Sequence, residues 1–312
     1  MITLALALTL TTAAVDFVPV AGKPSDAAVA DLNHDGRPDL VVICGEEIVT
    51  VLNMKTGWKE ATRTAVPRAP VEIALADFNR DGQADVAIAD HDTFAVHVLM
   101  GDGKGGWHSG VTVRAKATGA PHIHGLLAGD LNGDRSPDLL FASSGEGELI
   151  ALLNNGKGEF TPAAPVKIGR TAWYPALADF NGDRHLDATA AVFEGAAVPV
   201  LLGDGKGGFA PAPGSPHRVF PRPFLLKAAD LNGDGHQDIY GVHDDHGRLT
   251  ILLGDGKGGF RRRRAAPTIL AAKPMAWRRS TWMAMDDSTW PPRPAANCGS
   301  FARPSREYSL VL

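Results

Sequence analysis

Short apolar runs, separated by polar and glycine-rich turns, dominate the chain. In one stretch of about 45 residues the runs are four to seven residues long, and they cover residues 71–76, 85–89, 94–100 and 111–114. Runs of this length, rich in Val, Ile, Leu and Ala, favour largely buried β-strands. The pattern therefore predicts four antiparallel strands joined by hairpins.

A nine-residue pattern, D-x-N-x-D-x-x-x-D, lies between the first and second runs and occurs five times. Its copies start at Asp31, Asp77, Asp130, Asp179 and Asp230, so successive starts are 46, 53, 49 and 51 residues apart. A period of about 50 residues corresponds to one four-stranded unit. The prediction is an all-β repeat protein with five intact units.

A glycine-rich turn precedes the fourth run of each later unit. It occupies residues 101–107, 154–160, 203–209 and 254–260, and glycine supplies the positive φ that such hairpin turns need. The aromatic residue that closes the turn lies 30 residues after the first Asp in units two to five, and 27 residues after it in unit one. This fixed offset predicts that Trp58, Trp107, Phe160, Phe209 and Phe260 are wedged between neighbouring sheets.

The repeated pattern has the chemistry of a calcium site. Side-chain oxygens at positions 1, 3, 5 and 9, with the backbone carbonyl of position 7, suit Ca²⁺, which takes six to eight oxygen ligands. An EF-hand is excluded because Val42 stands where its bidentate Glu would be needed. The candidate ligands are Asp31, Asn33, Asp35, Arg37, Asp39, Asp77, Asn79, Asp81, Gln83, Asp85, Asp130, Asn132, Asp134, Ser136, Asp138, Asp179, Asn181, Asp183, His185, Asp187, Asp230, Asn232, Asp234, His236 and Asp238.

These sites are expected to be structural, with about one Ca²⁺ per repeat and up to five in all. Three carboxylates in a tight hairpin repel each other until a cation neutralises them. Position 6 must turn sharply and is glycine in units one, two and five. Units three and four carry Arg135 and Arg184 there, so their loops are expected to be more strained or weaker.

The D-x-N-x-D-x-x-x-D loops on hairpins of this period resemble those of the FG-GAP/VCBS repeat family, which includes the head of integrin α subunits. The resemblance covers about residues 15–260. It implies a β-propeller of four-stranded blades, in which radial repetition protects the sheet edges. It also implies a secreted, periplasmic or cell-surface module for adhesion or glycan recognition. Two alternatives stay open: a polysaccharide lyase, and a lectin with sugar sites between blades.

Composition and charge narrow the classes further. The 312 residues carry a net charge of −4 without a basic stripe, which argues against nucleic-acid binding. Two distant cysteines define no disulfide framework, and no apolar stretch is long enough to span a membrane. Residues 1–14 resemble a signal peptide, although no Lys or Arg precedes the apolar stretch; an outer strand is the alternative.

A ligand site is expected at the strand ends that lie away from the calcium loops. There the repeats differ from one another, as binding residues on a rigid scaffold do. A metal site at His122-x-His124 is a weaker alternative, and no nucleophile–base pair supports an enzyme. The expected partner is a protein or a glycan, and the candidate residues are His91, His124, Trp173, Tyr174, Glu194, His243, Asp244 and His246.

The propeller is expected to end near residue 275, because residues 276–312 match neither a strand nor a loop. The period nevertheless predicts a sixth Asp near position 281. Read from the third base of each codon, residues 282–287 give Leu/Met/Val, Asp, Gly, one of Asp, Asn, His or Tyr, then Gly, and Arg or a stop. Flanking codons allow D-L-D-G-D-G-R-L-D-L. The hypothesis is a frameshift near residues 275–279 that replaces a sixth repeat with an aberrant, disordered tail.

Overall fold

The computed structural model describes residues 17–66, 69–115, 122–244, 248–262 and 309–311. Every regular element in these ranges is a β-strand. The signal-like segment, His246 and the region of the suspected frameshift lie outside the described residues. The chain divides into two compact units: one comprises residues 1–114, 155–159 and 307–312, and the other comprises residues 115–154 and 160–306.

The first unit contains two four-stranded antiparallel sheets and one short strand pair. The pair joins β1 (Phe17–Pro19) to β25 (Ser309–Val311). Sheet 1 consists of β2 (Pro24–Ala30), β3 (Asp39–Cys44), β4 (Glu47–Met54) and β5 (Gly57–Ala65). Sheet 2 consists of β6 (Pro70–Ala76), β7 (Asp85–Asp90), β8 (Ala95–Gly101) and β9 (Trp107–Arg114).

The second unit contains three sheets of the same plan. Sheet 3 consists of β10 (Ile123–Gly129), β11 (Asp138–Ser143), β12 (Glu148–Asn154), β13 (Phe160–Pro162) and β14 (Val166–Lys167). Sheet 4 consists of β15 (Ala172–Ala178), β16 (Asp187–Val192), β17 (Ala197–Val198), β18 (Val200–Gly203), β19 (Phe209–Pro211) and β20 (His217–Arg218). Sheet 5 consists of β21 (Pro223–Ala229), β22 (Asp238–His243), β23 (Leu249–Gly254) and β24 (Phe260–Arg262).

Prolines account for the extra strands of sheets 3 and 4. Proline has no backbone N–H, so it interrupts a ladder of hydrogen bonds. Pro199 separates β17 from β18, and proline-containing loops divide the fourth strand position into β13 with β14 and β19 with β20. The predicted four-stranded plan is therefore confirmed, with split strands in two of its five copies.

The cores lie between successive sheets of each unit. In the first unit, side chains such as Ile43 and Ile48 of sheet 1 pack with Val86 and Ile88 of sheet 2. In the second unit, one cluster joins sheet 3 to sheet 4, and another joins sheet 4 to sheet 5. Burial on both faces explains why the second strand of each sheet is almost continuously apolar.

In the second unit, the glycine turn of one sheet docks onto the acidic loop of the sheet before it. Gly207 N–H donates to the carbonyl of Leu131 at 2.9 Å, and Gly258 N–H donates to the carbonyl of Phe180 at 3.1 Å. The closing aromatics take part: the Phe260 ring lies 5.4 Å from that of Phe180. The loops and the glycine turns thus lie at the same ends of the strands.

Two details refine the strand predictions. The fourth strand of sheet 2 starts at Trp107, four residues earlier than predicted, because this aromatic itself pairs with Gly101. Its indole N–H also donates to the hydroxyl of Thr50 in sheet 1 at 2.9 Å. Within the described ranges we find no helix of sufficient length and apolarity to cross a membrane.

Candidate functional site

Each of the five acidic loops connects the first and second strands of its sheet. Asx-type hydrogen bonds order the loop of sheet 3. Asp130 accepts from the N–H groups of Gly133 and Arg135 at 2.7 and 2.8 Å, and Asp134 accepts from the N–H of Ser136 at 2.6 Å. The bonds from position 6 to position 1 and from position 7 to position 5 recur in the other four loops.

The Asp at position 9 is fully buried and holds three parts of the sheet together. Asp138 accepts through Oδ2 from the N–H of Leu131 at 2.8 Å and through Oδ1 from the N–H of Asn154 at 2.7 Å. It therefore joins the start of the loop, the second strand and the end of the third strand. The same pair of bonds is made by Asp39, Asp85, Asp187 and Asp238.

Burial has an electrostatic cost at these carboxylates. It raises the pKa of Asp138 and of Asp187 to about 6, and the negative charges at positions 1 and 5 of the same loop act in the same direction. Burial also raises the pKa of Asp85. A divalent cation would lower this cost, since it favours the ionised carboxylates around it.

The donor set of the loops fits a hard cation. Positions 1, 3, 5 and 9 supply carboxylate and amide oxygens, which are the ligands that Ca²⁺ prefers. Position 7 offers a backbone carbonyl, from Arg37, Gln83, Ser136, His185 or His236. The chemistry of the residues is therefore that of the predicted calcium sites, and all twenty-five predicted ligands belong to these loops.

Two positions of each loop, 4 and 6, adopt a positive φ. Position 6 is glycine in three loops, whereas Arg135 and Arg184 adopt φ values of 68° and 71° in the other two. These arginines thus occupy the left-handed region, as the sequence predicted. The requirement at position 4 was not predicted; there His34 and Arg80 adopt φ values of 57° and 62°.

The opposite strand ends of the second unit bear a cluster of five half-buried rings, here called the aromatic cluster. Its centre is Trp173, whose ring lies 5.2 Å from His124, 4.5 Å from Phe193 and 5.1 Å from Phe224. Tyr174 completes it at 5.9 Å from His124 and 5.1 Å from Phe224. Trp173 Nε1 is buried and has no hydrogen-bond partner within the part of the chain that the structure describes.

β-Bulges in the first strands set the direction of the side chains in the aromatic cluster. The first strand of each sheet contains one, at 124/126 in sheet 3, 173/176 in sheet 4 and 223/225 in sheet 5. An extra residue bends the strand and redirects its side chains. Gly125 is required at the first bulge, because a Cβ there would stand 2.5 Å from Pro175 Cδ.

An ion pair borders the aromatic cluster. Arg222 donates to Asp244 at 2.5 Å, and its guanidinium lies 4.6 Å from the centre of the Phe193 ring. Glu194 follows Phe193 in the chain and is exposed. The aromatic cluster thus combines flat apolar faces with groups that can donate and accept hydrogen bonds.

In the second unit, only some of the predicted ligand residues lie in or beside the aromatic cluster. His124, Trp173 and Tyr174 lie in the aromatic cluster, and Asp244 and Glu194 lie beside it. His243 is buried, and its ring nitrogens bond the carbonyl of Pro221 at 2.9 Å and the hydroxyl of Thr250 at 2.7 Å, so its role is structural. His91 belongs to the first unit, where it bonds Asp92 at 2.8 Å. His246 lies outside the described residues.

Sequence reasoning missed Phe193, Phe224 and Arg222, although the repeat contains a signal for two of them. Six residues before the first Asp of each loop stand Ser25, Val71, His124, Trp173 and Phe224. Six residues after the last Asp stand Gly45, His91, Ser144, Phe193 and Asp244. The repeat period, extended beyond the loops, therefore marks two variable positions, and in the second unit they supply most of the cluster.

Comparison with sequence families identifies the repeat. The sequence model of the FG-GAP-like repeat matches residues 31–88, 77–141 and 130–189, which together make up half of the chain. No curated protein sequence matches the chain.

Solved structures share the fold. An Agrocybe aegerita lectin that recognises non-reducing terminal N-acetylglucosamine is 21% identical, with a TM-score of 0.51, over 76% of this chain and 65% of the lectin. A Lactobacillus plantarum protein is 16% identical, with a TM-score of 0.60, over 78% of this chain and 71% of its own.

The rhamnogalacturonan lyase YesW is 14% identical, with a TM-score of 0.50, over 79% of this chain and 54% of the enzyme. The chain thus spans less than two thirds of the lectin and of the lyase. At these identities the similarity shows the fold alone, which is built from blades of the β-propeller type.

The buried Asp at position 9 should stabilise the fold without any metal. Asp138→Asn places an amide NH₂ against one of two backbone N–H groups, and we expect a loss of about 2 kcal/mol of unfolding free energy. The measurement is urea denaturation in excess chelator, well above pH 6, where Asp138 is ionised. Asp134→Asn, an exposed position of the same loop, is the matched control and should change stability by less than about 0.5 kcal/mol. Equal effects of the two changes would contradict this role.

The left-handed backbone at position 6 can be tested by exchanging residues between loops. Gly235→Arg should lower the unfolding free energy by about 1 kcal/mol, because Gly235 adopts a φ of 85°, which disfavours any residue with a Cβ. A Cβ at this position would meet no neighbour, so the cost comes from the backbone conformation alone. The reciprocal change Arg184→Gly should raise it by a smaller amount, because glycine also makes the unfolded chain more flexible. Thermal denaturation measures both, and changes of the same sign would refute the assignment.

Proposed function

Because the chain belongs to the FG-GAP-like repeat family, we propose that it is a calcium-stabilised binding module that recognises a carbohydrate through the aromatic cluster. The observation that carries this proposal is the grouping of five half-buried rings beside the Arg222–Asp244 ion pair. The rings come from three successive sheets, so the fold itself holds them in place.

Carbohydrates suit this chemistry. Ligand sites on proteins are largely apolar and aromatic, with a few polar groups that fix the orientation of the ligand. The C–H face of a sugar ring can lie against Trp173 or Tyr174. Its hydroxyl groups can donate to Asp244 or Glu194 and accept from Arg222, and hydrogen bonds to charged groups are the stronger kind.

The similar structures are compatible with a carbohydrate ligand. One is a lectin that recognises N-acetylglucosamine, and another is a rhamnogalacturonan lyase. The shared fold supports a common scaffold for such ligands. The residues of the aromatic cluster carry the proposal for this chain.

Calcium would be held in the five acidic loops, and in the second unit these loops lie at the strand ends opposite the aromatic cluster. The ligands would be the residues at positions 1, 3, 5 and 9 with the carbonyl of position 7. When bound, the cation supplies positive charge that offsets the repulsion within each loop. Its role is therefore structural, and the ligand site lies away from it.

We further propose that the protein is exported. Support comes from residues 1–14, an apolar segment that ends in small residues and resembles a secretory signal. Calcium-stabilised modules also suit environments in which Ca²⁺ is abundant. N-terminal peptide analysis of the extracellular protein would detect removal of this segment.

Calcium should raise the melting temperature. A cation that binds only the folded protein stabilises it by about 2.7 kcal/mol per site at roughly 100 times its Kd. Calorimetric titration should find up to five sites, and Asp183→Asn, in the loop of sheet 4, should remove one of them. Identical melting curves in calcium and in chelator, with no heat of binding, would refute the calcium proposal.

The aromatic cluster can be tested with two substitutions of Trp173 that both keep an apolar side chain. Trp173→Phe retains a flat ring and should keep most of the affinity for a carbohydrate found on a glycan array. Trp173→Leu lacks the ring and should weaken binding at least about tenfold, the equivalent of about 1.4 kcal/mol. Titration calorimetry measures both, and the melting temperature checks that each variant is folded.

The binding and activity measurements distinguish a carbohydrate-binding module from an adhesion module and from a lyase. Equal affinity of the two Trp173 variants would exclude stacking at the aromatic cluster. A silent glycan array with capture of a protein ligand would favour an adhesion module. Release of unsaturated products from polyuronides would identify a lyase.

A further inference from the structure

One face of sheet 5 carries apolar side chains that its counterparts in sheets 3 and 4 bury. The residue at loop position 2 illustrates this. Leu131 is 3% exposed and Phe180 is 1% exposed, whereas Leu231 is 42% exposed. The three residues occupy the same place in their repeats, so the difference lies in what covers them.

The cover on Leu131 and Phe180 is the next sheet. Its glycine turn lies over the loop and donates a hydrogen bond, from Gly207 to Leu131 and from Gly258 to Phe180. Beyond Arg262 the structure describes only Ser309–Val311, which pairs with the first unit. The described chain therefore contains no later turn that could cover Leu231.

Two strand residues of sheet 5 are also more exposed than their equivalents in sheets 3 and 4. Four residues after the last Asp of the loop, Ala142 and Ala191 are fully buried, whereas Val242 is 45% exposed. Eleven residues after it, Leu149 and Val198 are buried, whereas Leu249 is 51% exposed. Leu231, Val242 and Leu249 form what is here called the terminal face.

The codons permit a further acidic loop where the repeat period requires one. One period of 51 residues after Asp230 is position 281, which lies outside the described residues. Trp and Met have single codons, so residues 282–285 contain the bases TGG, ATG, GCN and ATG. In the frame that starts at the third base of each codon, these bases encode Asp, then Gly, then one of Asp, Asn, His or Tyr. The next codon in that frame, which runs into the Asp286 codon, encodes Gly. The flanking codons permit a full D-L-D-G-D-G-R-L-D loop.

We propose that the terminal face is the docking surface of a sixth copy of the repeat, whose coding sequence persists directly downstream in another reading frame. The face matches the covered faces of sheets 3 and 4 at three equivalent positions. The out-of-frame codons can encode a loop at the expected place with the expected residue types. Inserting one nucleotide between codons 275 and 279 would join the two frames.

The nucleotide sequence gives a first test that is independent of folding. The proposal requires G as the third base of the Ser280 and Ser288 codons, A or G in the Ala284 codon and C in the Asp286 codon. G at the third base of the Ser280 codon creates Asp at position 1 of the loop, and G at the third base of the Ser288 codon creates Asp at position 9. A third base T in the Asp286 codon would create a stop codon within the repeat and overturn the proposal.

The second test compares the full chain with the frame-restored chain. Leu231→Ser should shift the melting temperature little in the full chain, because Leu231 is exposed there. In the restored chain it should lower the melting temperature as much as Leu131→Ser, the matched change at a covered position. Leu131→Ser should be strongly destabilising in both chains, as is normal for a buried leucine.

Other occupants of the terminal face predict different effects of Leu231→Ser and different oligomeric states. If Leu231→Ser remains harmless in the restored chain, the sixth repeat does not cover this face and the proposal is wrong. If the full chain forms dimers that Leu231→Ser dissociates, and the restored chain forms the same dimers, a second copy is the occupant and the proposal is again wrong. Analytical ultracentrifugation distinguishes these results from a monomeric restored chain, which would support the sixth repeat.

Discussion

Each sheet depends on one buried carboxylate, the Asp at position 9 of its loop. It accepts hydrogen bonds from the start of the loop and from the end of the third strand, so one residue links the loop, the second strand and the third strand. Burying an ionised carboxylate is costly unless it is well hydrogen-bonded, and charge-assisted bonds to two backbone N–H groups meet that condition. The same residue is also one of the candidate cation ligands. The loop geometry and the proposed calcium binding are therefore linked through a single side chain.

The loops also explain how one sheet is joined to the next. At Leu131 and Phe180, position 2 buries its side chain under the following sheet, and its carbonyl accepts a hydrogen bond from the glycine turn of that sheet. The acidic pattern and the glycine turn, about 25 residues apart in one repeat, thus meet across neighbouring repeats. Such nearest-neighbour contacts are typical of repeat proteins, in which each unit needs the next to cover its apolar face. Leu231, over which the described part of the chain places no further sheet, is 42% exposed.

The sequence predicted the strands, the period and the loops well, because these depend on short-range patterns with a fixed register. It placed the start of β9 four residues late, because Trp107 was assigned to the turn although its backbone pairs with Gly101. It did not reveal the role of Asp138 as a hydrogen-bond acceptor, because the contact with Asn154 joins residues in different strands. The aromatic cluster was predicted only in part. Its rings come from three repeats, and no single repeat shows which side chains will meet.

The two ends of the strands have opposite requirements, and the sequence reflects both. The loop end repeats the same residue types in every unit, because hydrogen bonds and positive φ values both constrain it. The other end contains a bulge in the first strand of every sheet, and its side chains differ between repeats, from Ser25 to Trp173. Variation between repeats of one chain therefore separates what maintains the fold from what is available for recognition. By this criterion the aromatic cluster is the region of the second unit that the fold itself does not explain.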